Sequence, residues 1–185
     1  MRRWIFGLAG LLLLSACSAL PVPINLLNYL GADKSGSFQQ PLPAGNVEFE
    51  RPLPDKSGYS LDFSREQLYS VRGVRVEYGA TVSYTGQTLL SGDVSVQAYL
   101  APVNGEDLWQ DKYKLGDPQN LQLAQGQSLL KLAGSVQLNN DQVKALNAKK
   151  LRFGVYAKGT ASSSQAATVT LNYEVTNLTL KVALF

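Results

Sequence analysis

The C-terminal stretch ATVTLNYEVTNLTLKVALF, residues 167–185, decides how the rest of the chain is read. Ala167, Val169, Leu171, Tyr173 and Val175 are apolar at odd positions, whereas Leu178, Leu180, Val182 and Leu184 are apolar at even ones. A period of two marks a strand with one face on a core and the other in water. The parity changes at Thr176-Asn177, and a strand that changes parity without an irregularity turns its apolar side chains outward. Run straight, the stretch would also reach about 60 Å at ~3.3 Å per residue, far beyond the usual strand. The pair therefore marks a bulge, a bend or a tight turn, and such a bend is one way a chain passes between two packed sheets. On that expectation, deleting one residue of the pair sends the last four aliphatic side chains to the wrong layer and unfolds the domain.

Upstream the same period recurs. Val74, Val76, Tyr78, Ala80, Val82 and Tyr84 alternate with polar residues or glycine. Val94, Val96, Ala98 and Leu100 do likewise, as do Leu130, Leu132, Val136 and Leu138 around Gly134, and Leu151, Phe153, Val155 and Ala157. Turn signals fall at Asn104-Gly105, Gly116-Asp117-Pro118, Gln125-Gly126-Gln127 and the soft segment 159–164. Pro-Leu-Pro occurs at 41–43 and 52–54 and brackets Val47-Glu48-Phe49-Glu50, a pattern that fits a short edge strand, where proline is tolerated.

Helix is scarce. Asn139 or Asn140 can cap a short helix through residues 141–146, and Ser64-Arg65-Glu66-Gln67 has capping-box spacing. Many short alternating strands with one or two helical connectors predict an all-β fold, an antiparallel β-sandwich. A membrane barrel fits less well. Phe185 ends the chain after an alternating strand, but it shares parity with Lys181 and Thr179, which would then face hydrocarbon.

The N-terminus is of another kind. Arg2 and Arg3 precede an almost wholly apolar run from Trp4 to Leu14, too short to span a bilayer, which needs roughly 20 apolar residues. A basic start, a short apolar run and small closing residues make an export signal. The closing residues Leu14-Ser15-Ala16-Cys17 resemble the lipobox of bacterial lipoproteins. That resemblance implies a diacylglyceryl group on the Cys17 thiol, cleavage between Ala16 and Cys17, and acylation of the new amino group, with palmitate-type chains. Each buried methylene contributes about 0.8 kcal/mol, so two or more chains hold firmly where one holds weakly. The resemblance also carries a sorting rule, under which Ser18, in place of an aspartate, implies the outer membrane in a cell that has two. The expected organisation is a signal peptide at 1–16, a lipidated N-terminus and tether at 17–45, and a β-sandwich domain at 46–185. Within the tether, residues 24–30 are apolar enough to need a partner, either the membrane or the domain.

Composition narrows the chemistry. The formal net charge of +3 includes Arg2 and Arg3, so the mature chain is close to neutral. Lys149-Lys150-Arg152 is its densest basic patch, far short of a nucleic-acid face. The chain has no histidine and a single cysteine, which excludes Ser-His-Asp and Cys-His catalysis and histidine metal sites. Carboxylates remain as acid-base candidates, and oxygen-ligated calcium remains open. One polar constellation stands out: Glu106, Asp107, Trp109, Asp111 and Tyr113, just after the Asn104-Gly105 turn. Its three readings are a solubilised loop in which Trp109 caps one end of the core, a platform for stacking a sugar, and a calcium loop.

No catalytic motif is recognisable, and no cofactor or metal is expected. The function expected from the sequence is that of a lipid-anchored cell-envelope protein with a non-enzymatic structural or binding role. The alternatives are a carbohydrate- or surface-ligand-binding module using the Trp109 loop and, further off, a carboxylate-dependent hydrolase. The expected partners are a membrane, through the lipid on Cys17, and another envelope protein or a glycan.

Overall fold

A computed structural model describes residues 21–62, 73–85, 90–103, 106–123, 129–147 and 150–183. The export signal, Cys17 and Ser18 lie outside the described residues. So do Ser64-Arg65-Glu66-Gln67, the turns at 104–105 and 125–127, Lys149 and Phe185.

Among the described residues, ten strands form two antiparallel sheets, a sandwich and not a barrel. They are β1 (Val22–Asn25), β2 (Ser35–Leu42), β3 (Gly45–Leu53), β4 (Tyr59–Asp62), β5 (Gly73–Thr85), β6 (Leu90–Pro102), β7 (Lys114–Leu123), β8 (Leu129–Gln137), β9 (Lys150–Ser163) and β10 (Ala167–Ala183). Among the described residues two short α-helices connect them, α1 (Leu27–Leu30) and α2 (Asn140–Asn147), with 3-10 turns at Gly31–Lys34 and Asp111–Tyr113. Each sheet has an edge split between two short strands. In one sheet β10 carries β2 along its first half and β1 along its second, followed by β5 and β8 on the other side. In the other sheet β9 carries β3 and β4 in the same end-to-end way, followed by β6 and β7.

The change of parity in β10 is a bulge. Val175 pairs with Ala80 and Asn177 with Gly79, so Thr176 is an extra residue without a partner on β5. Val175 (5% exposed) and Leu178 (0%) both face the core. The strand does not cross between sheets: all 17 residues stay in one. The expectation attached to a deletion in this pair is therefore reversed. Removing Thr176 would close the bulge and keep both halves facing the core that they already share. On the outer face Lys181 pairs with Glu77 at 2.6 Å, as the alternation requires.

Residues 21–45 are not a free tether. Val22, Pro23, Ile24 and Asn25 pair with Val182, Lys181, Leu180 and Thr179, and β2 pairs along residues 167–174 of β10. Leu26 and Leu30 are 0% and 4% exposed, so the apolar stretch 24–30 packs against the domain. Proline does not prevent this, because Pro23 and Pro41 sit on edge strands. Two turn signals are also strand. Gly116-Asp117-Pro118 is a bulge in β7, opposite Gln97, with Gly116 at φ +65°. Residues 159–163 continue β9, where Gly159 lets the backbone of Asp93 and Val94 approach closely.

The core is uneven along the sandwich. One end is packed solid by Leu61, Leu100, Leu146, Leu151, Leu178 and Leu180, all fully buried, and is closed by α1 and α2. Asn139 caps α2: its Oδ1 accepts from the Gln142 N–H at 2.9 Å, and the Gln142 Oε1 accepts from the Asn139 N–H at 3.0 Å. This is a reciprocal capping box. Towards the other end the inward residues of β9 shrink, from Phe153 and Val155 to Ala157, Gly159 and Ala161.

Candidate functional site

The loop between β6 and β7 folds over the outer face of the β9 sheet. Leu108 (0% exposed) and Tyr113 (2%) are its anchors, buried with Tyr99 and Ala101 in a small core separate from the main one. Trp109 lies half-buried against this cluster. Its ring centroid is 5.3 Å from that of Tyr99, edge-on, and 5.3 Å from that of Tyr156. Gly154 provides the room, since a Cβ there would meet the indole at 2.5 Å. The indole Nε1 donates to the Lys56 carbonyl at 2.9 Å.

The structure brings together the residues singled out in sequence and gives each a partner within the chain. Asp107 Oδ1 accepts from the Trp109 N–H at 3.1 Å. Glu106 Oε2 accepts from the Tyr113 hydroxyl at 2.7 Å and from Lys112, while Arg152 donates to the Glu106 carbonyl. Asp111 pairs with Lys114 at 2.7 Å, and the Lys114 ammonium holds its carboxyl below the usual carboxylate range. Glu106 in turn raises Lys112 above the usual lysine range. Trp109 thus covers the outer face of a sheet and does not cap an end of the main core. Among the described residues, no three acidic or other ligating side chains converge on a point that could hold a metal ion.

The second feature is a cavity between the two sheets at the hollow end of the sandwich, with a volume of about 90 Å³. Val82 and Leu171 wall it from one sheet, and Val96 and Ala157 from the other. Its mouth opens between the edge strands β2 and β3. Phe38 stands on one lip and Arg51 on the other, with the guanidinium carbon 4.8 Å from the Phe38 ring centroid. Arg51 occupies an inward position of β3, in register with Ala157 and on the same face as Phe49 and Leu53. Among the described residues it forms no ion pair with a carboxylate.

Sequence reasoning passed over this cavity. Its signals were the falling side-chain size from Phe153 to Ala161 and a cation at an apolar-face position of an edge strand. Neither has the regularity of a motif, and each acquires meaning only when the two strands face one another.

The pairing of the strands defines the class, an all-β sandwich. No model of a known protein family matches the sequence, and no curated protein does. Among solved structures, the chain is similar to one from Triatoma virus at 15% identity, over 89% of this chain and 66% of that one, with a TM-score of 0.39. A chain of the Triatoma virus empty capsid matches at 14% identity, over 89% and 91%, with a TM-score of 0.41. One from the naturally occurring empty particles of cowpea mosaic virus matches at 12% identity, over 88% and 44%, with a TM-score of 0.38. At these values the likeness is one of strand layout and carries no function.

Proposed function

We propose that this chain is a lipid-anchored cell-envelope protein whose sandwich is a non-enzymatic binding module for an apolar ligand. The cavity between the sheets carries the binding half of this reading. Its walls are aliphatic and aromatic, and protein interiors are otherwise packed to nearly crystalline density, with few voids larger than water. Ligand sites are typically concave and mostly apolar, with a few placed polar groups. Leu14-Ser15-Ala16-Cys17 supports the anchoring half, and Ser18 supports an outer-membrane destination in a cell with two membranes.

The two halves are tested separately. Cys17→Ser should move the protein from the membrane to the soluble fraction or leave it uncleaved; an unmodified Cys17 at the mature N-terminus, found by mass spectrometry, removes the anchoring half. For binding, a soluble chain from residue 18 keeps all ten strands. It should raise the fluorescence of an anilinonaphthalene sulfonate dye saturably, and Ala157→Leu, which fills the cavity, should abolish the rise. A signal unchanged in the filled variant removes the binding half.

A further inference from the structure

We propose that the cavity takes the end of a single hydrocarbon chain whose anionic head group stays outside, on Arg51. This rests on the reading of the cavity as a ligand site and names the ligand's class. The shape argues for a chain. The slot lies between the two sheets, lined by Val82 and Leu171 from one and by Val96, Val155 and Ala157 from the other, with its mouth at Phe38 of β2 and Arg51 of β3. An apolar void of ~150 Å³ stays dry and takes up benzene. One of about 90 Å³ accepts a narrower body, and a chain end can enter while the rest leaves through the mouth.

The charge argues for an anion. Arg51 reaches the mouth from an inward position, and no carboxylate neutralises it among the described residues. The neighbouring acids Glu48 and Glu50 alternate to the opposite face of β3, where Glu50 meets the Tyr156 hydroxyl. A guanidinium matches carboxylate or phosphate oxygens in a two-point contact. The Arg51 stem and the Phe38 ring form an apolar lip beneath that charge, suited to the carbons next to a head group.

β1 joins β10 at Val182, whereas the mouth lies beside Leu171, about 36 Å away along the strand at ~3.3 Å per residue. The occupant proposed here is a separate molecule, either a free fatty acid or one chain of an anionic phospholipid.

The experiment uses the soluble chain from residue 18 and calorimetric titration with dodecanoate and dodecyltrimethylammonium below their micellar concentrations and dodecanol below its solubility limit. Dodecanoate should bind at least tenfold more tightly than the ammonium compound. Arg51→Gln should erase that preference and leave dodecanol binding within about twofold. Ala157→Leu should abolish binding of all three, and Ala161→Val serves if the first variant fails to fold. Sedimentation with phosphatidylglycerol vesicles separates the sources: Arg51-dependent binding to vesicles identifies the phospholipid, and binding of free dodecanoate alone identifies the fatty acid. Equal affinities for the three heads, unchanged in Arg51→Gln, overturn the assignment of the head group and leave the cavity standing as an apolar site. Absence of binding by all three to a folded parent overturns both.

Discussion

At the scale of single residues, the sandwich is organised by tyrosines set against glycines. Tyr78 pairs with Gly134, Tyr173 with Gly36 and Tyr99 with Gly154, and in the first two pairs a Cβ on the glycine would strike the ring at 2.3 and 2.7 Å. Glycine weakens a strand unless a neighbour covers it, and here an aromatic ring does. Gln97 plays a comparable part at the bulge in β7: its Nε2 donates to the carbonyls of Ala98, Leu115 and Gly116 at 3.0–3.2 Å. The buried phenols have a consequence for pH. Burial pushes Tyr59, Tyr78 and Tyr99 upward, and Tyr156 is pushed up to about 12, first by its bond to Glu50 and then by burial. Each holds its proton more tightly folded than unfolded, so its contribution is complete below the ordinary value of 10.0 and is lost as pH rises through the folded value. Lys112 and Lys114, raised by Glu106 and Asp111, have the same sign. Asp111 has the opposite sign: its contribution is complete above the usual carboxylate range and is lost only as pH falls below it, so it does not change here. Stability to urea should therefore stay level towards pH 10 and fall between pH 10 and 12. Phenolate absorbance should show these four titrating only as the fold opens. Titration of these four near pH 10, with stability unchanged, would contradict this.

At the scale of elements, what the sequence showed and what it hid separate cleanly. Period-two alternation located the long strands β5, β6, β8, β9 and β10, because alternate residues of each face the space between the sheets. Asn139 located α2 because its cap is local. The strands β1 and β2 were hidden by Pro23 and Pro41, which on an edge cost nothing but inside a sheet would break it. The bulge in β10 was visible as a break in parity, but its consequence depended on which sheet each half joins, and that is a tertiary fact. Since both halves join one sheet, Thr176 is the single surplus residue. Its deletion aligns Val175 and Asn177 with Ala80 and Gly79 without displacing Leu178, Leu180 or Val182. The deletion variant should fold and melt within several degrees of the parent. Deleting Thr179 is different, because it shifts Leu180 and Val182 to the outer face. Each loses about 1.5–3 kcal/mol of burial, out of a total of 5–15 kcal/mol for a typical domain. That variant should be unfolded or aggregated by circular dichroism and gel filtration. Equal melting of the two deletion variants would show that the register of β10 does not control its packing.

At the scale of the whole molecule, the two sheets share a plan: a long strand whose outer edge is covered by two short ones laid end to end. The plan explains the packed end and the hollow one. At the packed end β1 and β4 bring in α1, and Leu26, Leu30 and Leu61 fill the space between the sheets. At the hollow end β2 and β3 face one another with Phe38 and Arg51 at their margin, and the small residues of β9 leave the cavity. Residues 21–44 therefore belong to the fold as fully as the long strands do, which a reading of local periodicity could not reveal. A chain beginning at Pro21 should melt as the chain from residue 18 does. One beginning at Gly45 lacks β1, α1 and β2, and with them Leu26 (0% exposed), Leu30 (4%) and Leu42 (6%). Three aliphatic side chains at about 1.5–3 kcal/mol each approach the entire stability of a domain. The loss also bares the backbone of β10, and an unpaired edge is a template for aggregation. The shorter chain should be insoluble, or should lose its cooperative melt in circular dichroism. If it remains monomeric and melts within a few degrees of the longer one, the edge formed by β1 and β2 is an appendage, and the mouth between β2 and β3 is not a fixed part of the molecule.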